Sequence, residues 1–449
     1  MQKLFKYIQD NIISNKIGIR DMSVSFAPQI ASAVFGFAMS ILLARGLGAE
    51  SLGKYALITS FAALITGFSD LGINQTAIRF ASRAVSKNDD ELQYAVLRWA
   101  LRIRFSLVLM LFAISYFVAE VVATDFWGSS ELAVLIRINL LIVLFNVFSS
   151  IPIIYFQSKR LFGKNAFVAV GQSVINFSGI TFIAITGMWS IYNVIIVTVI
   201  SNLIGMLVFL VIVPRHAIFR MQDFKNGFKE IFRAPKEHYL HETTVDKSSA
   251  ESFAFFMVIT SIIVILTMQA DVWLMGRYLT KDQIGIYNVA TKLALPLMMF
   301  LNAFNTVLWP RASAATSREE TMLLLKKTVK VSSIVFLFVL IYSFFAPMLI
   351  KYIYGLAYDS SIMLSRILCF RYSISILVCP IGIIGYNLGF IRIYWKVNLI
   401  QLIFVVLINV FLLPVIGVYA SALALIINEL TGFAASVLII RYKIKQANA

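Results

Sequence analysis

The stretch Arg45-Gly46-Leu47-Gly48-Ala49-Glu50-Ser51-Leu52-Gly53-Lys54-Tyr55 separates two apolar runs, near 22–47 and 53–76. Each run reaches the roughly 20 residues that an α-helix needs to cross about 30 Å of hydrocarbon. The signature returns later in the chain. Arg45, Gly53, Tyr55 and Arg79 recur as Arg277, Gly285, Tyr287 and Arg311, every pair 232 positions apart. Glu50 with Asp282 and Leu52 with Ile284 keep the same offset. Equal spacing of four identical residues marks an internal repeat. The offset carries the first span onto the seventh, an even number of spans away. The two halves therefore run the same way through the membrane and are related by a pseudo-two-fold axis along its normal, the plan of parallel-repeat carriers. Such carriers hold substrate between their halves near the bilayer midplane and expose it to each side in turn.

The rest of the chain agrees. Of its 449 residues 60% are hydrophobic and 14% charged, and the mean hydropathy is +0.85, whereas soluble domains are about 25% charged. Barrel strands would be about ten residues of alternating polarity, so an all-α polytopic membrane protein is predicted. Continuous apolar runs predict about twelve transmembrane helices. They lie near 22–47, 53–76, 97–123, 132–157, 165–186, 191–213, 251–276, 285–309, 329–352, 361–386, 393–413 and 417–440. This divides the chain into a basic amphipathic segment (1–21), a six-helix bundle (22–213), a cytoplasmic linker (214–250), a second six-helix bundle (251–441) and a cytoplasmic tail (442–449).

Charge sets the orientation. Lys3, Lys6, Lys16 and Arg20, then Arg79, Arg83 and Lys87, then Lys159, Arg160 and Lys164 fall on one side, as do the basic residues of 215–247, 311–330, 392–396 and 441–445. The other side has Arg45, Lys54, Arg277, Lys281 and Lys351. Short cytoplasmic loops retain Lys and Arg, which places both termini in the cytoplasm. The first residues show no short apolar stretch with a small-residue cleavage site, so they are expected to stay attached. A net charge of +17 would suit nucleic acid, but it is scattered over short loops with no soluble domain to carry a groove, so no nucleic-acid partner is expected. Cys369 and Cys379 share one apolar run and offer neither a disulfide framework nor metal-ligand spacing. They are expected in the core. His216, His238 and His241 all lie in the linker, leaving the spans without an imidazole for acid–base work. No metal or cofactor is expected.

The residues that point to a function are cations stranded in apolar runs: Arg137, Lys292, Arg366 and Arg371. By insertion scales such a residue costs roughly 2.5–3.5 kcal/mol at a helix centre, so it usually faces a wet cavity or a partner and marks a polar pathway. Four cations suggest an anionic cargo. Arg371 falls near mid-bilayer and is expected to face the lumen, with a structural ion pair as the rival reading. Arg366, five residues earlier and about 140° around the helix, lines a broad cavity with it or faces a neighbouring helix. Lys292 either contributes to the lumen or pairs with Asp271. Arg137, near a helix end, faces the lumen or snorkels to the interface. Arg98, Arg102 and Arg104 are expected to meet lipid phosphates. Among the acids, Glu429 lies mid-span beside Asn428 and could couple transport to an ion or pair with an arginine, and Asp271 is shared between coupling and pairing. Asp70 and Glu120, toward helix ends, are expected to serve structure. Arg45 and Arg277 fit the negative ends of their own helices and the turns that follow, which reads as architecture.

Leu43-Ala44-Arg45-Gly46-Leu47-Gly48-Ala49-Glu50-Ser51-Leu52-Gly53-Lys54-Tyr55-Ala56, followed by Ser69-Asp70-Leu71-Gly72-Ile73 and Arg79, resembles the polysaccharide transporters of the multidrug/oligosaccharidyl-lipid/polysaccharide exporter superfamily. Asp271 to Leu274, then Ile284-Gly285-Ile286-Tyr287-Asn288-Val289-Ala290 and Lys292, resembles that family's seventh and eighth helices. The likeness is greatest to Wzx-type O-antigen flippases. It implies twelve helices in two bundles and translocation of an undecaprenyl-diphosphate-linked oligosaccharide from the cytoplasmic to the periplasmic leaflet of a bacterial inner membrane. It also implies coupling to an H+ or Na+ gradient through a carboxylate, and a polysaccharide polymerase or assembly complex as a partner. A diphosphate head suits Arg, whose planar fork matches phosphate oxygens, and Lys, a compact charge. The competing functions are a multidrug exporter, better served by an acidic lumen, and a membrane-embedded polysaccharide polymerase or ligase, which needs a substantial outward loop. A scaffold for polysaccharide assembly would leave the buried cations unexplained.

Overall fold

The computed structural model describes residues 16–214, 247–294, 296–298, 301, 308, 318–387 and 391–446. The described chain is almost wholly helical. In the first half α1 is Lys16–Asp70, α2 Ile73–Ser86, α3 Asp90–Val121, α4 Glu131–Asn139, α5 Leu141–Ser158, α6 Phe162–Thr186 and α7 Ile191–Val211. In the second, α8 is Lys247–Tyr278, α9 Lys281–Leu293, α10 Arg318–Phe344, α11 Ser361–Asn387, α12 Ile391–Ile416 and α13 Tyr419–Gln446. Two π-helical turns, Val122–Phe126 and Ile350–Tyr354, follow α3 and the short helical segment after α10.

Among the described residues nine helices are long and apolar enough to cross a membrane, or ten if the bent pair Leu323–Phe344 and Ala346–Tyr354 is one span. One of the nine, Ile30–Asp70, has 41 residues, which at 1.5 Å per residue is about twice the hydrocarbon thickness. Gly48 breaks it with φ 73° and ψ 174°, a conformation from which the helix cannot continue. The helix expected over 285–309 begins earlier, at Lys281, and lies partly outside the described residues. So do most of the basic segment 1–21 and of the linker 214–250 with its three histidines, and the end of the tail 442–449.

Local chemistry explains the helix starts. Asp89 accepts the Leu92 amide at 2.8 Å, and Asp90 and Glu91 fill the first turn of α3, where negative charge complements the helix dipole. Thr280 and Gln283 form a reciprocal capping box at α9. Between α1 and α2, Asp70 accepts the Asn74 amide at 3.0 Å while Gly72 takes the left-handed turn. Side chains such as Phe117, Ile185 and Val211 point outward, as suits a surface meeting acyl chains rather than water.

Helix neighbours repeat between the halves. In the first, α1 packs on α6, α6 on α7, α7 on α5 and α5 on α3; in the second, α8 packs on α12, α12 on α13, α13 on α11 and α11 on α10. The halves meet mainly where α1 lies against α9 and α8. That contact exchanges residues across the 232-position offset. A Cβ on Gly53 would overlap the Lys281 carbonyl oxygen, and one on Gly285 would overlap that of Ala49, the residue equivalent to Lys281. Gly53 and Gly285 are thus the same contact seen from each side, as in an isologous interface. Phe61, Trp127 and Trp273 fill the seam beside it, with the Phe61 and Trp273 rings stacked at 5.4 Å.

Further bonds cross this seam. The Arg45 guanidinium donates to the carbonyls of Ile353 (2.8 Å) and Tyr352 (2.6 Å), and Tyr358 donates its hydroxyl to the Ala44 carbonyl at 2.8 Å. In the reverse direction Arg277 donates to the Asp125 carbonyl at 2.9 Å and Lys281 to that of Trp127 at 2.7 Å. Burial and the nearby Lys54 charge hold the Lys281 ammonium below its usual pKa. Arg45 and Arg277, expected to serve their own helix ends, reach into the opposite half instead. The turns near Gly48, Trp127, Leu279 and Gly355 are thereby drawn onto one face, the clasped face of the protein.

Candidate functional site

Arg371 stands ten residues into α11 and Glu429 ten residues into α13, both counted from starts next to turns of the clasped face. At 1.5 Å per residue each lies about 15 Å from its helix start, a distance of half the hydrocarbon thickness. Arg371 Nη2 donates to Glu429 Oε1 at 2.8 Å, with both side chains 18% exposed. The guanidinium also lies 4.5 Å from the Tyr372 ring centroid. Its Nε is buried without a partner among the described residues. Of the two readings of Arg371, the structure shows the ion pair, and Glu429 pairs with an arginine as one of its readings allowed.

Asp271, on α8, is buried and accepts two hydrogen bonds, from the Tyr287 hydroxyl and from the Val272 amide at 2.7 Å. It does not pair with Lys292. Tyr287 uses the face of α9 turned toward α8, and Lys292, five residues on, is about 140° away around the helix. Lys292 lies eleven residues after Lys281, the start of α9, hence about 16 Å along the helix from it. Its side chain is half-buried. Among the described residues its ammonium has neither an ion pair nor a hydrogen bond.

The other two cations lie elsewhere. Arg366 is exposed on a stripe with Met363 and Phe370, away from the Arg371 pair. Arg137, on α4, donates to the Tyr116 carbonyl at 3.1 Å and to Glu120 Oε2 at 2.8 Å, and covers the Tyr116 ring at 4.8 Å. It holds α4 against α3 within the first half. The four expected cations therefore do not converge, because α4, α9 and α11 present them on different faces.

Several residues matter that sequence reasoning undervalued. Tyr287, which the sequence marks only through the repeat, is the partner of Asp271. Arg98 and Arg104, expected at lipid phosphates, are both buried. Arg104 donates to Asn74 Oδ1 at 2.9 Å and to the Ser69 carbonyl at 3.4 Å, with Asp70 4.0 Å away, so it pins α3 to the α1–α2 turn. The sequence does carry a signal for this, since Leu97, Ala100, Leu101, Arg104 and Val108 fall on one helical face. On α12, Gln401 donates to the Asn428 carbonyl at 2.7 Å, in space that a Cβ on Gly432 would invade. The buried Asn428 Oδ1 and Asn398 Nδ2 have no partner among the described residues. Polar groups from α8, α9, α11, α12 and α13 thus cluster in the second half with hydrogen-bonding capacity to spare.

Residues 19–316, more than half of the chain, match the family model described as polysaccharide biosynthesis protein. No curated protein matches the sequence. Among solved structures, an inward-facing multidrug resistance MATE family transporter of the MOP superfamily superposes with a TM-score of 0.72 at 14% identity, over 92% of this chain and 95% of that one. The lipid II flippase MurJ in an inward closed conformation gives 0.68 at 16% identity, over 93% and 88%. A MOP superfamily transporter from Pyrococcus furiosus, described as having a binding pocket of reverse polarity, gives 0.60 at 15% identity, over 96% and 94%. At these identities the likeness is one of fold.

Proposed function

Because this chain belongs to the polysaccharide biosynthesis protein family and has the fold of MOP superfamily transporters, we propose that it is a flippase for an undecaprenyl-diphosphate-linked oligosaccharide, an O-antigen or related repeat unit. The head group enters between two six-helix bundles (22–213 and 251–441) from the cytoplasmic side of a bacterial inner membrane. Rocking of the bundles delivers it to the periplasmic leaflet while the polyprenyl tail stays in lipid. Both termini and the linker 214–250 are cytoplasmic in this scheme.

The observation that carries the proposal is Lys292. An ammonium about 16 Å from its helix start with no acidic partner among the described residues is costly to keep in hydrocarbon, and a diphosphate supplies the missing counterion. Arg371 has a conditional role. Its charge is committed to Glu429, and uptake of H+ or Na+ at Glu429 frees the guanidinium for a phosphate oxygen, which ties cargo binding to an ion gradient. Asp271, held by Tyr287, is the second coupling candidate. Arg366 and Arg137 are not needed at the head group in this arrangement.

The test is translocation of a lipid-linked oligosaccharide in proteoliposomes. Lys292→Ala is expected to lower the rate by at least about tenfold, the factor set by losing one charge-assisted contact, and Lys292→Arg to restore much of it. Wild-type rates in Lys292→Ala would remove the basis of the anionic-cargo reading. One observation favours a second reading, a cation-coupled multidrug exporter: Asp271 has no basic partner within salt-bridge distance among the described residues. Efflux of a cationic dye that is lost in Asp271→Asn and retained in Lys292→Ala would select that alternative.

A further inference from the structure

We propose that Arg45 and Arg277 are the two latches of a gate on the clasped face, each holding a π-helical turn of the opposite half, and that both must release for this face to open. The proposal rests on the rocking of the two halves and adds the parts that hold one end shut. Arg45 and Arg277 are equivalent under the 232-position repeat. Their targets, Ile350–Tyr354 and Val122–Phe126, lie 228 positions apart and occupy matching places in the two halves, each a five-residue π turn leading into a turn of the clasped face. The symmetry therefore covers both the key and its slot.

The chemistry suits a reversible catch. The last carbonyls of a helix lack intrahelical donors and carry the negative end of its dipole. In the first π turn the carbonyls of Val122, Ala123 and Thr124 are taken by the amides of Trp127, Ser129 and Gly128, leaving Asp125 for Arg277. In the second, Gly355 takes Ile350, leaving Tyr352 and Ile353 for Arg45. Among the described residues each guanidinium thus meets carbonyls and no carboxylate, so no buried ion pair has to be separated on opening. Water can replace the carbonyls on one side and the guanidinium on the other.

The two latches differ in build. Arg45 makes two bonds, and Tyr354 adds a 3.0 Å hydroxyl contact with Ser40. Arg277 makes one, but Lys281 holds the neighbouring Trp127 carbonyl, and its repeat equivalent is Ala49, which has no donor side chain. Removing Arg45 should accordingly open the face more than removing Arg277 alone.

The test uses a reporter cysteine at Leu57, which is fully buried and lies against Gly276 in the seam, in a Cys369→Ser, Cys379→Ser background. Purified protein in lipid nanodiscs, without substrate, is labelled with a membrane-impermeant maleimide. Loss of contacts present in one state alone shifts the population, so Arg45→Ala is expected to raise the labelling rate about fivefold or more, and Arg277→Ala with Lys281→Ala to do the same. Hydrogen exchange at the opposite-face turns 71–73 and 159–161 is read in parallel. Faster labelling with unchanged or slower exchange there supports the gate. Unchanged labelling in Arg45→Ala/Arg277→Ala/Lys281→Ala overturns it, and faster exchange on both faces overturns it as general loosening. Because no cargo is present, these outcomes are independent of whether the protein carries a lipid-linked saccharide.

Discussion

At the scale of single residues, the informative contrast is between Arg371 and Lys292, two cations at similar depth with opposite fates. Arg371 is balanced by Glu429, and breaking such a pair from one side leaves an uncompensated charge. Glu429→Gln is expected to destabilise the protein by about 3 kcal/mol, and Arg371→Met with Glu429→Leu to recover most of that loss. Thermal unfolding of the single and double variants in detergent checks this, and additive losses would show that the two side chains are not coupled. Lys292 has no such partner among the described residues, so Lys292→Met is expected to leave the melting temperature unchanged or raise it while transport falls. The sequence alone identified both as charges inside apolar runs. It left open which was paired, because the pairing depends on the rotation of α11 against α13 and of α9 against α8.

At the scale of elements, glycines decide how closely helices approach. Gly53→Ala and Gly285→Ala each push a methyl group into a backbone oxygen of the other half, which cannot move aside as a flexible side chain would. Each is expected to lower stability by about 2 kcal/mol or more, as overpacking of rigid neighbours does. Gly36 faces open space within the same α1, and Gly36→Ala is expected to be neutral or stabilising by up to about 1 kcal/mol through helix propensity. Equal losses at Gly36 and Gly53 would show that propensity, not contact, governs. Gly48 has the backbone role instead, and Gly48→Ala should cost about 1–3 kcal/mol, because φ 73° with ψ 174° is a region that essentially only glycine adopts. The spacing of Gly53 and Gly285 was legible as a repeat, but their mutual contact was not.

At the scale of the whole molecule, the repeat produces its own interface: α1 meets α9 through equivalent residues, and the latches cross in both directions. Halves expressed as separate chains, divided within 215–246, are therefore expected to co-purify from the membrane, and Gly53→Ala with Gly285→Ala to reduce recovery about tenfold or more. Failure of the wild-type halves to associate would mean that the seam is too weak to hold without a covalent connection. Apolar runs, the alternation of basic loops and the 232-position offset were readable from the sequence because each is a sum over many residues or a pattern along one strand of text. A span is specified by about 20 residues of hydropathy whatever its neighbours are. The partner of Asp271, the burial of Arg104, the separation of Arg137 and Arg366 from Arg371, and the reach of Arg45 and Arg277 into the opposite half were decided by tertiary structure. Each depends on the angle at which one helix is turned toward another far away in the chain, and hydropathy carries no information about that angle when apolar side chains surround the helix on every side.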